Sequence, residues 1–227
     1  MDVLLAGVVG STAYGLDGPD SDVDRLGVFA APTIAFHGLT RPRESDVTTA
    51  PDQTLHEAGK FCRLALGGNP TVGELMWLKH YENTTPLGER LIAIRRAFLS
   101  APAVRSAYLG YAHQQLTKLI RRGDGSFSAD IPVRRAEKHA RHLVRLVQQG
   151  EQLYTTGHLA IQVADPEQIR AIGRTIVADP LTGRLLIEEA ENRMGAAGSP
   201  LPDKPDTETV ERWLLAVRAH YYQEPTS

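Results

Sequence analysis

Apolar runs near the start of the chain predict buried strands. The first, Val3 to Val9, is short, rich in β-branched residues and followed directly by Gly10-Ser11. The second predicted strand spans residues 22–30. Two shorter strands are predicted at residues 46–49 and 52–55, after a loop rich in Pro, Thr and Gly. The first part of the chain is therefore expected to contain a small sheet.

From His56 onwards the apolar positions recur with helical spacing, and a first helix is predicted at residues 56–66. A second begins near Asn69-Pro70, where Thr71 and Glu74 fit a capping box and Met76-Trp77 follow as apolar anchors. Further helices are predicted at 86–98, 101–122, 132–155, 165–173, 180–194 and 206–222, with breaks at 123–128 and 197–205 and a short β-strand at 158–163.

The order of these elements predicts an α+β protein. Residues 1–80 are expected to form a small mixed β-sheet core with helices, and residues 81–227 a mostly helical domain. A length of 227 residues suits one large or two small domains, and a hydrophobic content of 42% is that of an ordinary globular protein.

Composition excludes several classes of protein. No apolar stretch reaches the ~18 residues that cross a bilayer, and the N-terminus lacks the basic segment of a signal peptide. The single cysteine, Cys62, excludes an internal disulfide framework and a cysteine-based zinc site, and its apolar surroundings predict a core residue. These features predict a cytoplasmic protein with no membrane contact.

Basic residues are concentrated between positions 118 and 145, although the formal net charge of the whole chain is only −2. They are Lys118, Arg121, Arg122, Arg134, Arg135, Lys138, Arg141 and Arg145, against the acids Asp124, Asp130 and Glu137. Such a local basic surface in an otherwise neutral protein can attract a polyanion.

Four of these residues are spaced as one face of a helix: Arg134, Lys138, Arg141 and Arg145. The opposite face is apolar and is expected to pack on the core through Ala136, Ala140, Leu143, Val144 and Val147. The pattern therefore predicts an outward cationic stripe, which either binds RNA or is simply solvated.

The segment from Gly10 to Gly15, followed by Ser21-Asp22-Val23-Asp24, carries the candidate chemistry. Its small residues allow backbone amides to approach a phosphate closely. Residues two apart in a strand point to the same side, so Asp22 and Asp24 are expected to lie side by side across from the turn. Paired carboxylates beside a phosphate cradle are what Mg²⁺-assisted nucleotidyl transfer needs.

Other sites fit the sequence less well. Asp20, Asp22 and Asp24 occupy the first, third and fifth positions of a calcium loop, but Arg25 replaces the required Gly and Ala31 the required Glu. There is no His-Glu-x-x-His pattern, Walker-type loop or readable Ser/His/Asp triad.

His139 and His142 are three residues apart on a predicted helix and could share a metal ion. The neighbouring Arg135, Lys138 and Arg141 would repel a cation, so both histidines are predicted to be solvated or to face phosphate.

The opening segment resembles the signature of the DNA polymerase beta-like nucleotidyltransferase superfamily. Its form is similar to a subgroup of predicted nucleotidyltransferases associated with RNA repair and phages. A second stretch, from Asp52 to Phe61 and then Gly68-Asn69-Pro70-Thr71 and Glu74-Leu75, supports the same subgroup. The resemblance covers about the first third of the chain and implies a nucleotidyltransferase core, an NTP substrate and Mg²⁺ or Mn²⁺.

The resemblance also implies roles for particular residues. Gly10, Ser11, Thr12 and Gly15 would bind the triphosphate, and Asp22 and Asp24 would be catalytic metal ligands. The superfamily normally carries a third carboxylate, for which the candidates are Asp52, Glu57 and Asp46, with Asp52 favoured because it starts a β-like run.

Three further side chains near these motifs have two interpretations each. Tyr14 either packs against the nucleotide or belongs to the core. Lys60 and Arg63, on the same predicted helix as Glu57, either meet phosphate or are solvated.

Two functions of different classes are compatible with these features. One is an enzyme that transfers an NMP from an NTP to an acceptor hydroxyl, on RNA, a protein or a small molecule; the basic run favours RNA. The other is a non-catalytic nucleotide- or RNA-binding module, a regulator or one component of a toxin–antitoxin pair. The presence of both Asp22 and Asp24 favours the enzyme.

Overall fold

The computed structural model describes residues 1–18, 21–120 and 133–222. The chain divides into two compact units, one formed by Met1–Leu99 with Pro205–Ser227 and the other by Ser100–Lys204. In the described residues the helices are α1 (Gly10–Tyr14), α2 (Ala58–Leu66), α3 (Pro70–Glu74), α4 (Pro86–Ala93), α5 (Ala101–Leu119), α6 (Val133–Thr156), α7 (Pro166–Ala178), α8 (Pro180–Ala196) and α9 (Thr207–His220), with 3-10 turns at Thr33–His37, Leu75–Trp77 and Arg95–Phe98.

A mixed sheet of five strands forms the first unit together with its helices. Its strands are β1 (Asp2–Val8), β2 (Arg25–Ala30), β3 (Ser45–Thr49), β4 (Asp52–Glu57) and β5 (Asn83–Thr84). They lie in the order β3-β4-β2-β1-β5. Strands β2 and β4 are parallel, and the other neighbours are antiparallel. The α+β class with a small mixed sheet followed by helices is therefore confirmed.

The core of this unit is built from the two apolar runs and the helices packed on them. Leu4 and Leu5 on β1 are both completely buried, and α2 and α4 contact the sheet. Phe61 on α2 packs edge to face on Phe98, with ring centroids 6.4 Å apart. The neighbouring Cys62 is buried as predicted, and burial raises the pKa of its thiol to about 12.

The C-terminal helix α9 belongs to the unit that contains the sheet. Trp213 Nε1 donates to the carbonyl of Leu87 at 2.9 Å, and Thr33 Oγ1 donates to the carbonyl of Arg218 at 2.6 Å. The division drawn from the sequence placed residues 81–99 and α9 in the helical part. These contacts join positions far apart in the chain, which no local pattern indicates.

The second unit is helical. Helix α6 packs along α5. Helix α7 packs against α6, and α8 packs against both α5 and α6. The predicted apolar face of α6 is indeed buried: Ala136, Ala140, Leu143, Val144 and Val147. Gly150 allows close packing on α5, because a Cβ atom there would lie 2.7 Å from Cβ of Tyr108.

Several local predictions are corrected by tertiary contacts. The capping box is wrong: Asn69 caps α3 by accepting a hydrogen bond from the amide of Val72 at 3.1 Å, while Glu74 is buried. The helix predicted from His56 begins at Ala58, because β4 continues to Glu57. The strand predicted at 22–30 begins only at Arg25.

The short strand predicted at 158–163 is absent from this described segment. Its backbone is bound by side chains of α6: Gln149 Nε2 donates to the carbonyls of Ala160 and Ile161 at 3.0 Å, and Gln152 Oε1 accepts from the amide of Ala160 at 2.9 Å. These bonds take the place of pairing with another strand.

The break predicted at 197–205 is present between α8 and α9. The break predicted at 123–128 lies outside the described residues, as do Asp20, Arg121, Arg122, Asp124 and Asp130. Among the helices that the structure describes, none combines the length and the apolar character that a bilayer span requires.

Candidate active site

One edge of the sheet brings the sequence motifs together. Strand β1 ends at Val8, which pairs with Arg25 at the start of β2, and Arg25 in turn pairs with Gln53 near the start of β4. Asp24 directly precedes Arg25, and Asp52 directly precedes Gln53. The end of β1 and the starts of β2 and β4 therefore lie side by side at this edge.

The turn after β1 is the short helix α1, enclosed by two glycines in the left-handed region. Gly10 has φ of 70° and Gly15 has φ of 74°. The turn closes through hydrogen bonds from the amide of Gly15 to the carbonyl of Thr12 and from the amide of Leu16 to the carbonyl of Ser11. Glycine adopts this left-handed conformation without steric cost.

The backbone of this turn lies directly against Asp24. A Cβ atom on Gly10 would lie 3.2 Å from Cγ of Asp24 and closer still to Oδ2. The amide of Val9 also donates to the carbonyl of Asp24 at 2.9 Å. Glycine at position 10 is therefore required both by its positive φ and by the approach of a carboxylate.

The two aspartates of the motif do not lie within a strand. β2 starts after them, with Asp24 half-buried and Asp22 exposed, so the alternation argument that placed them side by side does not apply. A turn precedes them, in which the amide of Ser21 donates to the carbonyl of Gly18 and the amide of Gly18 donates to Ser21 Oγ. Their position at the edge comes from this turn and from the β1–β2 register.

The candidates for a third carboxylate occupy different ends of the sheet. Asp52 is exposed at the start of β4, at the same edge as Asp24. Asp46 pairs with Leu55 within the β3–β4 ladder. Glu57 is the last residue of β4, at the opposite end of the strand from Asp52.

The Glu57 carboxylate is buried and takes all its described partners from within the first unit. Its side chain is 3% exposed and caps α2 by accepting a hydrogen bond from the amide of Gly59 at 2.8 Å. Arg218 of α9 binds both carboxylate oxygens, at 2.6 and 3.0 Å, and stacks on the ring of Phe36. This arrangement explains the acid at position 57 without a metal.

Lys60 and Arg63 lie near the same end of the sheet as Glu57. Lys60 Nζ donates to Ser45 Oγ at 2.8 Å, and Ser45 Oγ is 2.8 Å from His56 Nδ1. Burial and the charge of Lys60 lower the pKa of His56. Arg63 forms an ion pair with Glu44. Neither cation therefore reaches the edge that holds Gly10 and Asp24.

The donor set fits a magnesium ion in chemistry, but its side chains are not assembled around one point. Aspartate oxygens are hard ligands of the kind Mg²⁺ prefers, and Asp22, Asp24 and Asp52 belong to one edge. Within the three described ranges, however, no three His, Cys, Asp or Glu side chains lie close enough together to hold a metal ion.

Two contacts at this edge were not predicted from the sequence. Tyr14, the last residue of α1, is buried and donates its hydroxyl to the carboxylate of Glu74. Arg25 binds Glu82, just before β5, with Nε at 3.0 and 3.1 Å from the two carboxylate oxygens. Each pair joins residues distant in the chain, so local spacing carried no signal for it.

The basic helix of the second unit differs from its prediction in one residue. Arg134 and Lys138 are exposed and Arg141 is half-buried, but Arg145 is 1% exposed and donates to Gln149 Oε1 at 2.5 Å. Arg145 is therefore not part of an outward stripe, because the fold turns that end of α6 into the helical core.

The two histidines of α6, predicted to be solvated or to face phosphate, are half-buried and contact side chains of their own unit. His139 Nδ1 lies 2.9 Å from Gln115 Oε1, and burial lowers its pKa. His142 lies 3.4 Å from Nη2 of Arg145 through its Nε2. Burial, together with the charge of Arg145, lowers the pKa of His142 to about 2, so its ring is neutral at physiological pH.

Comparison with known proteins agrees with the resemblance drawn from the motifs. A family model described as the RNA repair pathway DNA polymerase beta family matches residues 1–167. No functionally curated protein matches the chain. The matched range contains the whole sheet, α1 and the edge with Asp24 and Asp52, and it extends through α6. Since this range covers well over half of the 227 residues, the chain belongs to the RNA repair pathway DNA polymerase beta family.

Proposed function

We propose that this protein is a Mg²⁺-dependent nucleotidyltransferase that transfers an NMP from an NTP to an acceptor hydroxyl. The observation that carries the proposal is the contact between the Gly10 backbone and the Asp24 carboxylate. It supports a site in which a turn able to bind phosphates adjoins a carboxylate able to bind a metal. The membership of the polymerase beta family supports the same reaction class.

In the proposed reaction the acceptor hydroxyl loses its proton to water, its oxygen forms a bond to the α-phosphorus of the NTP, and the bond from that phosphorus to the leaving pyrophosphate breaks. Ser11, with the amides around Gly10 and Thr12, binds the β- and γ-phosphates, and Gly15 maintains the shape of the turn. These groups hold the triphosphate so that the α-phosphorus faces Asp24.

Asp22, Asp24 and Asp52 are the proposed ligands of Mg²⁺ or Mn²⁺. A metal held there would supply charge stabilisation for the attacking and leaving oxygens. Asp52 is preferred to Glu57 because it starts β4 at the edge beside Asp24, whereas Glu57 is buried with Arg218. The exposed position of Asp22 and Asp52 leaves both carboxylates able to move toward a metal–nucleotide complex.

RNA is the proposed acceptor. The exposed cations of α6, Arg134, Arg135 and Lys138, support binding to a polyanion. The family description refers to RNA repair, which favours the same acceptor over a protein or a small molecule.

The test is a labelling assay with the purified chain. Each ribonucleoside triphosphate, labelled on its α-phosphorus, is incubated with the protein, Mg²⁺ or Mn²⁺ and either total RNA or total protein. We expect metal-dependent label in RNA that resists protease and is released by ribonuclease, with Asp24→Asn inactive. Label in protein would change the acceptor. NTP binding without transfer to any acceptor would instead support the non-catalytic binding module.

A further inference from the structure

The buried pair formed by Tyr14 and Glu74 connects the two sequence motifs of the first unit. The hydroxyl of Tyr14 lies 2.8 Å from Oε1 and 2.6 Å from Oε2 of Glu74, and the two residues are 60 positions apart. Tyr14 is 5% exposed and Glu74 is 1% exposed. A buried carboxylate is costly unless it is bound, so this hydrogen bond has a definite energetic role.

The turn that contains Tyr14 has little to hold it in place by itself. Helix α1 is only five residues long, and its N-cap Val9 provides no side-chain hydrogen bond to the first amides. A single helical turn is not stable in isolation, because nucleation costs more than one turn of hydrogen bonds returns. Its orientation must therefore come from tertiary contacts.

Glu74 lies on a well-anchored element. Helix α3 starts with Pro70 and is capped by the side chain of Asn69. Val72 on α3 and Leu75 just after it are buried in the core. The Glu74 carboxylate is therefore a fixed point to which α1 is bound through Tyr14.

The other end of α1 is the glycine that contacts Asp24. A displacement of the Tyr14 ring would move the backbone of Gly10 and Ser11 relative to the Asp24 carboxylate. We infer that Glu74 is a positioning residue which, through Tyr14, sets the orientation of the triphosphate-binding turn. This inference rests on the proposed function, and it concerns the affinity for the NTP rather than the chemical step.

The test compares Tyr14→Phe, Glu74→Gln, Glu74→Leu and the double variant Tyr14→Phe/Glu74→Leu. The dissociation constant for a non-hydrolysable ATP or GTP analogue with Mg²⁺ is measured by calorimetry, together with kcat, KM for the NTP, and Tm. Tyr108→Phe, another buried tyrosine but in the helical unit, is the matched control.

We expect Tyr14→Phe and Glu74→Leu each to weaken analogue binding about tenfold, the value of a hydrogen bond to a charged group. KM for the NTP should rise with little change in kcat. Glu74→Gln retains an acceptor oxygen and should recover most of the affinity. The double variant should bind the analogue no more weakly than either single variant, because each of the two substitutions removes the same Tyr14–Glu74 contact. Tyr108→Phe should leave analogue binding unchanged.

The outcomes separate the two proposals. If the wild-type chain binds the analogue and Tyr14→Phe binds it equally well, with only Tm lowered, the positioning role is wrong and the proposed function stands. If Tyr14→Phe and Glu74→Leu weaken binding independently, the contact is not the cause and the inference also fails. A wild-type chain that binds no NTP analogue would overturn the proposed function and this role together.

Discussion

The Asp24 carboxylate lies so close to the Gly10 backbone that no side chain fits between them. This contact brings the turn after β1 against the residue that precedes β2. It lies at the edge of the sheet where we propose that the reaction takes place. It also provides the most direct test of that edge.

Gly10→Ala is expected to disable this edge. The new methyl group would collide with Asp24, and alanine at φ of 70° adds a cost of roughly 1–2 kcal/mol. We expect a loss of NTP affinity of more than about tenfold, measured by titration. Gly110→Ala in α5 is the control, since no atom beyond its chain neighbours and the backbone of its own helix lies within 4 Å of its added Cβ. That variant should be more stable by about 0.5–1 kcal/mol and should bind NTP normally.

Asp22→Asn and Asp24→Asn are each expected to abolish nucleotidyl transfer. Removing one ligand charge from a metal site costs several kcal/mol of transition-state stabilisation. The Tm of Asp22→Asn should remain at the wild-type value, because the Asp22 side chain is exposed. Turnover is measured by pyrophosphate release at saturating Mg²⁺. Wild-type turnover in both variants would remove these residues from the proposed site.

Asp52→Asn and Glu57→Gln should have opposite effects. Asp52 is exposed at the proposed edge, so Asp52→Asn should lose activity as severely as Asp24→Asn while Tm is unchanged. Glu57 is buried and bound by Arg218, so Glu57→Gln should lower Tm with little effect on the turnover of the folded fraction. Kinetics and thermal unfolding of both variants decide the assignment, and the reverse ranking would transfer the metal-ligand role to Glu57.

The RNA hypothesis is tested on the exposed cations of α6. The double variant Arg134→Gln/Lys138→Gln should weaken RNA binding and reduce the slope of log affinity against log salt by roughly 1 to 2, with NTP binding unchanged. Arg184→Gln, an exposed arginine of α8, is the control. Arg145 is not a suitable target, because it is buried and its replacement would disturb the helical core. An unaltered salt slope in the double variant would remove RNA from the favoured acceptors.

The low pKa of His142 predicts acid sensitivity. Burial holds its pKa at about 2 in the folded chain, against an ordinary value of 6.5. The unfolded chain then binds more protons than the folded chain at any pH between these values, so the free energy of unfolding decreases as pH falls below 6.5. Urea denaturation at pH 7.5 and pH 5.5 measures this loss. His142→Gln should reduce the difference between the two pH values, and an equal loss in wild type and variant would contradict the assignment.

The sequence alone was sufficient for much of the fold. Several elements were predicted close to their observed bounds, among them β1, β3, α5, α6 and α8. In α6 the apolar spacing directly reflects which face of the helix is buried. The Gly10–Gly15 turn and its position before Asp22 and Asp24 were also predicted from the sequence. Glycine marks backbone positions with positive φ, and paired aspartates are typical ligands of hard cations.

What the tertiary structure decided are the relationships between residues distant in the chain. Spacing on α6 placed Arg145 with Arg134 and Lys138, yet packing against the other helices of its unit buries Arg145 with Gln149. Helical periodicity gives only the direction in which a residue points around the helix axis. It does not indicate which neighbouring elements pack on that side at each point along the helix.

The same limit applies to the carboxylates. Thr71 and Glu74 had the spacing of a capping box, but the Glu74 side chain is buried against Tyr14, and Glu57 binds Arg218 from a helix 161 residues away. A local pattern records residue types and intervals, whereas a buried charge takes whichever partner the fold brings within hydrogen-bond distance. The sequence therefore determined the elements and the chemical types at the edge, and only the assembled sheet decided which acids face that edge and which hold the unit together.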